Sequence, residues 1–210
     1  MAQGIADNTI IVFSGDNGGR PYFNSKDKPY GIFSPNVDPR TGVKFRGGKG
    51  ELHEGGLRVP FVVAWPGKIK GGQVSSHLGY FADIMPTLAD LAGVPCPADT
   101  DGLSFAPTLP GKPGQKTHDF LYWEHGGQTA VRLGDMKALR KGGKAKGRWE
   151  LYDLTSDISE TKDIAAAHPD IVAKAAAVAK REHEPARPGV IFDKALAAKD
   201  ARYRPAPPAK

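Results

Sequence analysis

Asp16 and Asn17 stand side by side in the run Ser14-Gly15-Asp16-Asn17-Gly18-Gly19. A carboxylate and an amide carbonyl are hard oxygen donors, and that pairing suits Ca²⁺, or Mg²⁺, better than a soft metal. Two donors do not fill a six-coordinate shell, so an ion here needs further carboxylates and the substrate itself. On spacing alone the same run also reads as an Asx turn. Lys49 lies among Gly47, Gly48 and Gly50. Glycines let a backbone approach a ligand closely and expose N–H groups to an anion. An ammonium placed there is a compact charge for a tetrahedral oxyanion. A solvated surface loop is the alternative reading of the same glycines.

Other polar residues carry blander expectations. Glu54 and Arg58 flank a Gly-Gly pair ahead of an apolar run, which suits a local ion pair or a backbone cap. His53 and His77 read as packing or hydrogen-bonding residues. Cys96, between Pro95 and Pro97, is the only cysteine, so neither an internal disulfide nor a thiolate cluster is available. Lys137, Arg140, Lys141, Lys144, Lys146 and Arg148 crowd one glycine-rich stretch and read as a solvated hairpin loop.

The elements that must position these residues follow from pattern. Residues 8–14 form a continuous β-branched and aromatic run, as expected of a strand buried on both faces in a parallel sheet. The Asp-Asn turn directly follows it, where open α/β sheets place their ligands. Residues 20–46 are rich in Pro, Gly, Asn and aromatics without a period, and so predict a long functional loop. A second buried strand is expected at 61–65. Residues 83–91 predict a helix with Ile84, Leu88 and Leu91 on one face, Asp83 as N-cap, Pro86 in the first turn and Gly93 at its end.

Beyond a Pro/Gly-rich connector at 95–113, four short strands are predicted at 120–123, 129–132, 136–139 and 149–152. Their glycine-containing links imply an antiparallel meander. Pro169 opens an Ala-rich helix to about Glu182, with Ile171, Ala175 and Val178 on one side. The tail from Pro185 has little to pack. The expected domains are 1–113, 114–184 and the tail 185–210.

The 210 residues carry a net charge of +6 with 40% hydrophobic and 25% charged positions, a soluble globular balance that favours anionic partners. No apolar run reaches the length of about 20 residues that a membrane span requires. The basic residues are not interleaved with aromatics or set on a recognition helix, so nucleic acid is not an expected partner.

In order along the chain stand Val12-Phe13-Ser14-Gly15-Asp16-Asn17-Gly18-Gly19, Arg46-Gly47-Gly48-Lys49-Gly50-Glu51-Leu52-His53-Glu54-Gly55-Gly56-Leu57-Arg58-Val59-Pro60 and Trp65-Pro66-Gly67-Lys68-Ile69. Then come Asp83-Ile84-Met85-Pro86-Thr87-Leu88, Asp101-Gly102-Leu103-Ser104, Leu121-Tyr122-Trp123-Glu124 and Glu150-Leu151-Tyr152-Asp153-Leu154. From about residue 8 to about 181 the chain resembles the type I, formylglycine-dependent sulfatases, in their C-terminal portion.

The resemblance implies an α/β fold, the C-terminal part of an alkaline-phosphatase-like sandwich followed by a small antiparallel sheet packed with a C-terminal helix. It implies that Asp16 and Asn17 are Ca²⁺ ligands, that Lys49 contacts the sulfate, and that His125 is a candidate to face the substrate. It further implies a sulfate-ester substrate, aryl or carbohydrate, and a periplasmic or extracellular setting. The family's Cys/Ser-x-Pro-x-Arg motif, source of the formylglycine nucleophile, does not occur in these 210 residues. The nucleophile and the remaining metal ligands are therefore expected in an N-terminal part, and the isolated chain is expected to be inactive and marginally stable. The competing expectations are a phosphodiester or phosphonate hydrolase of the same superfamily and a non-catalytic binder of sulfated glycans.

Overall fold

The computed structural model describes residues 4–19, 36–38, 40–142 and 147–184. Two compact units are distinguished, Met1–Ala179 and Lys180–Lys210. In the second, the described residues 180–184 begin in helix and leave it after 182. Most of the 20–46 loop and the tail from Pro185 lie outside the described residues, as do Lys144 and Lys146.

The first unit is organised by a four-stranded antiparallel meander in the order β3 (Leu121–His125), β4 (Gln128–Leu133), β5 (Met136–Arg140) and β6 (Trp149–Asp153). The four predicted strands are all present. His125 pairs with Gln128, and both intervening glycines, Gly126 and Gly127, have positive φ. That is the two-residue turn whose twist matches a hairpin.

Alternation along the strands sends Val131, Ala138 and Leu151 to one face, where they meet Ala175 and Val178 of α3 (Pro169–Glu182). Pro169 opens this helix, where its missing N–H costs little. The opposite face carries Ala130 and Leu139, packed on Leu52 and the half-buried Leu57 and Trp123. Both faces of the central strands are thus covered. Leu139 is fully buried, and truncating it to alanine is worth about 2–5 kcal/mol. Leu52 is the link to chemistry, because it belongs to the segment that carries Lys49.

The first strand departs from expectation. β1 (Ile11–Ser14) pairs antiparallel with β2 (Phe61–Ala64) in a two-stranded ribbon, with Ile11 opposite Ala64 and Ser14 opposite Phe61. Neither strand is buried among the described residues: Phe13 is 64% and Val62 56% exposed. A run of apolar residues carries the same signal whether or not a layer covers it, and no parallel neighbour is present among the described residues. Phe61 does meet Phe105 edge-on at 5.6 Å.

α2 (Ile84–Ala92) forms where predicted, preceded by a 3₁₀ turn at Phe81–Asp83, and ends at Gly93 with φ 69°, the left-handed cap that glycine favours. Its orientation is not the predicted one. Pro86 and Thr87 are buried, whereas Met85 and Leu88 face outward at 51% and 39% exposure. The reason is polar. Thr87 Oγ1 donates to the Asp83 carbonyl at 2.6 Å and accepts the Phe105 N–H at 2.9 Å, fastening that side to the 101–106 segment. No described helix is long and apolar enough to cross a membrane.

Candidate active site

The Asp-Asn turn and the lysine loop are held together backbone to backbone. The Gly18 N–H donates to the Gly56 carbonyl at 3.0 Å, and the Lys49 N–H donates to the Gly19 carbonyl at 2.9 Å. Asn36 bridges both. Its Oδ1 accepts the Gly19 N–H at 2.8 Å, and its Nδ2 donates to the carbonyls of Gly47 (3.1 Å) and Gly55 (2.7 Å). The approach is close enough to require glycine. A Cβ on Gly18 would meet the carbonyl carbon of Gly55 at 2.7 Å and Cα of Gly56 at 2.8 Å.

Within this frame Asp16 is exposed and its Oδ1 accepts the Asn17 Nδ2 at 2.8 Å. Lys49 is exposed. His125 ends β3, and a Cβ on Gly50 would lie 3.9 Å from its Nε2. Gln128, across the hairpin from His125, donates Nε2 to the Gly50 carbonyl at 3.0 Å. The four residues singled out in the sequence therefore sit on segments that are directly bonded to, or in contact with, one another. As donors, Asp16 and Asn17 fit part of a hard-cation shell. Among the described residues no cluster of three or more His, Cys, Asp or Glu side chains completes it.

Beneath the loop is a buried charged network. Glu54 opens α1 (Glu54–Leu57), and the expected ion pair with Arg58 is present at 3.3 Å. Its other oxygen meets Lys137 Nζ at 2.9 Å. Lys137 also lies 2.9 Å from Glu160 Oε1, while Glu160 Oε2 accepts the Glu54 N–H at 2.6 Å. Lys137 was expected on a solvated loop and is instead wholly buried. Its register on β5, between Met136 and Ala138, which both face the core packed on α3, turns it to the opposite face under the site, where two carboxylates satisfy it.

Burial pushes Glu54 up, but Lys137, Arg132 and Arg58 carry it below the ordinary carboxylate range. Burial leaves Glu160 raised despite Lys137. Glu160 sits at φ 53°, a left-handed conformation uncommon outside glycine. Arg46 extends the network, donating Nη1 to the Tyr152 hydroxyl (3.0 Å) and the Glu160 carbonyl (2.7 Å).

His53 is 4% exposed, and neither ring nitrogen has a hydrogen-bond partner among the described residues. It packs as expected but does not hydrogen-bond. Burial, then Arg46, Lys137 and Lys141, depress it to about 4. His77 stacks at a tilt on Phe105, 6.5 Å between ring centres. Sequence reasoning passed over His118, whose Nε2 lies 2.8 Å from the fully buried Asp83 carboxylate, and over Arg46, Gln128 and Glu160. Arg46 was detectable as a cation directly preceding the glycine-lysine run; the others lie too far along the chain for spacing to reveal.

Residues 48–181 match the family model described as N-sulphoglucosamine sulphohydrolase, C-terminal, and residues 1–94 match the model described as Sulfatase. An uncharacterized sulfatase of Schizosaccharomyces pombe is 32% identical over 204 residues, covering 80% of this chain and 36% of its own length. The N-acetylgalactosamine-6-O-sulfatase of Bacteroides thetaiotaomicron is 30% identical over 182 residues, covering 80% and 35%. Among solved structures, Ps i-CgsB in complex with k-i-k-neocarrahexaose superimposes with a TM-score of 0.68 at 26% identity, over 95% of this chain and 42% of that one. The chain spans about a third of the length of these curated relatives. With the Asp-Asn turn, the glycine-flanked lysine, the meander and the closing helix in their order, the chain belongs to the sulfatase family.

Proposed function

We propose that this chain supplies the metal-turn and oxyanion-binding side of a sulfuric ester hydrolase. The observation that carries the reading is the bond between the Lys49 N–H and the Gly19 carbonyl, which fastens the lysine loop to the Asp16-Asn17 turn. Asp16 and Asn17 would give two oxygen donors to a divalent cation, Ca²⁺ by the hardness of the donor set. Such a cation, when bound, withdraws charge from sulfate oxygens. Lys49 would stabilise negative charge on the sulfuryl group, with Gly48 and Gly50 allowing close approach. His125, beside Gly50, would face the alcohol side of the ester.

Sulfatases in general use a metal and a formylglycine, and no residue of this chain stands in the motif that yields one. We assign residues 1–113 to the catalytic domain and 114–184 to a companion subdomain. In a full-length enzyme containing this chain, Lys49→Ala should lower kcat on an aryl sulfate by roughly 10²–10³, the scale of losing one preorganised donor. Near-normal turnover would reject the assignment. Turnover of an aryl phosphodiester exceeding that of the sulfate would favour the phosphodiesterase reading instead.

A further inference from the structure

One residue from far along the chain holds the lysine loop, residues 46–54, at both of its ends. At the start, Arg46 Nη1 donates to the Glu160 carbonyl at 2.7 Å; at the finish, the Glu54 N–H donates to the Glu160 carboxylate at 2.6 Å. Just ahead of the loop, Ser159 Oγ donates to the Lys44 carbonyl at 2.7 Å. We propose that the turn after β6 is a clamp that sets where Lys49 stands, and that Glu160 is its positioning residue. This rests on the sulfate-ester reading of Lys49 and adds the device that keeps the ammonium in place.

Three observations support it. The first is closure. Glu160 uses a backbone acceptor for one end of the loop and a side-chain acceptor for the other, and the Gly55 N–H joins those ends by donating to the Arg46 carbonyl at 2.8 Å. Bonds at the two ends offset the entropy of closing a loop and restrict the residues between them, Lys49 included.

The second is burial. Glu160 is fully buried and keeps its carboxylate there beside the equally buried Lys137, 2.9 Å away. A packed apolar side chain fills such a space at no loss of stability, so the carboxylate is retained for its direction. That direction is the Glu54 N–H.

The third is the backbone. Glu160 is the only non-glycine with positive φ among the described residues. The left-handed region is costly for a glutamate, and such strain persists where the surroundings over-determine it, as at functional sites. The turn is itself fixed to β6: the Asp157 N–H donates to the Asp153 carbonyl at 2.8 Å and the Glu160 N–H to the Asp157 carbonyl at 3.0 Å. Through it, the lysine loop takes its position from the well-packed meander.

The test is amide hydrogen exchange of the 210-residue chain, read by NMR, in two variants that open the clamp at opposite ends. Glu160→Gly removes the carboxylate and adopts the positive φ without strain. Arg46→Met lies at an exposed position and decides the matter alone if Glu160→Gly does not fold. Each should speed exchange of the Lys49 and Gly55 N–H groups by about tenfold or more beyond any change at Val131 and Leu139 in the central strands. Equal acceleration at all four, or none at Lys49, would overturn the clamp. In a full-length enzyme containing this chain, Arg46→Met should lower kcat on an aryl sulfate about tenfold with little change in KM, and should add no further loss to Lys49→Ala. Losses that multiply would overturn the positioning role. Normal turnover by Lys49→Ala would instead sink the sulfate reading, and the exchange rates would still judge the clamp.

Discussion

Lys137 Nζ and Glu54 Oε1 are 2.9 Å apart in the interior, and through them the β-meander is bonded to the helix that follows the lysine loop. Lys137 lies on β5, whereas Glu54 lies one residue before the Gly55-Gly56 pair that receives the Asp-Asn turn. The meander is therefore part of the site's foundation. Lys137→Met removes the counter-charge of two buried carboxylates, and should cost about 3–5 kcal/mol by urea unfolding. Adding Glu160→Gln should recover about 1 kcal/mol or more by removing one uncompensated charge.

His53 should make the fold sensitive to mild acid. Its value is depressed from 6.5 to about 4, chiefly by burial. Between those limits the unfolded chain binds a proton that the folded one refuses. Stability is thus complete above the unfolded value and is lost as pH falls toward 4, by up to roughly 3 kcal/mol for this group. His53→Phe should flatten the difference between urea midpoints at about pH 7 and about pH 5, since it has no proton to bind.

Gly18→Ala should separate the two halves of the site. The added methyl points into the backbone of Gly55 and Gly56, which no rotamer change can relieve. We expect a loss of about 2 kcal/mol or more in stability, on the scale of an overpacked site. In a full-length enzyme containing this chain, isothermal titration with calcium should show weaker binding than without the substitution, while the meander's circular-dichroism signature persists in the isolated chain.

The uncovered ribbon gives a fourth expectation. Ile11, Phe13 and Val62 expose apolar surface on a two-stranded element, which is marginal by itself. The purified chain should bind a hydrophobic dye and self-associate with rising concentration, and Phe13→Ser should weaken both. It should also show no aryl-sulfate turnover; robust hydrolysis by the chain alone would mean that a nucleophile other than formylglycine is at work.

Legibility in the sequence tracked how local the cause was. The meander and α3 were readable because alternation, Gly126-Gly127 and Pro169 act within a few residues. The Asp16-Asn17 turn and Lys49 were readable as residue types, yet their adjacency depends on Asn36 and on glycine contacts that no spacing rule encodes. Lys137 was misjudged because a basic run says nothing about which member turns inward; strand register decided that. The outward face of α2 was misjudged for the opposite reason. Its apolar stripe was real, but Asp83 and Thr87 on the other side held stronger, directional claims on the neighbouring backbone.

Asn36 is also the point at which the smallest chemical change would do the most harm to the site. One carboxamide joins three separate stretches of chain, donating two of its three bonds through the nitrogen. Hydrolysis of that amide to a carboxylate would set a negative oxygen against the carbonyls of Gly47 and Gly55, turning two attractions into repulsions while barely altering mass or shape. Asn36→Asp would thus loosen the alignment of the two loops through the exchange of one polar group at a residue that takes no part in the chemistry.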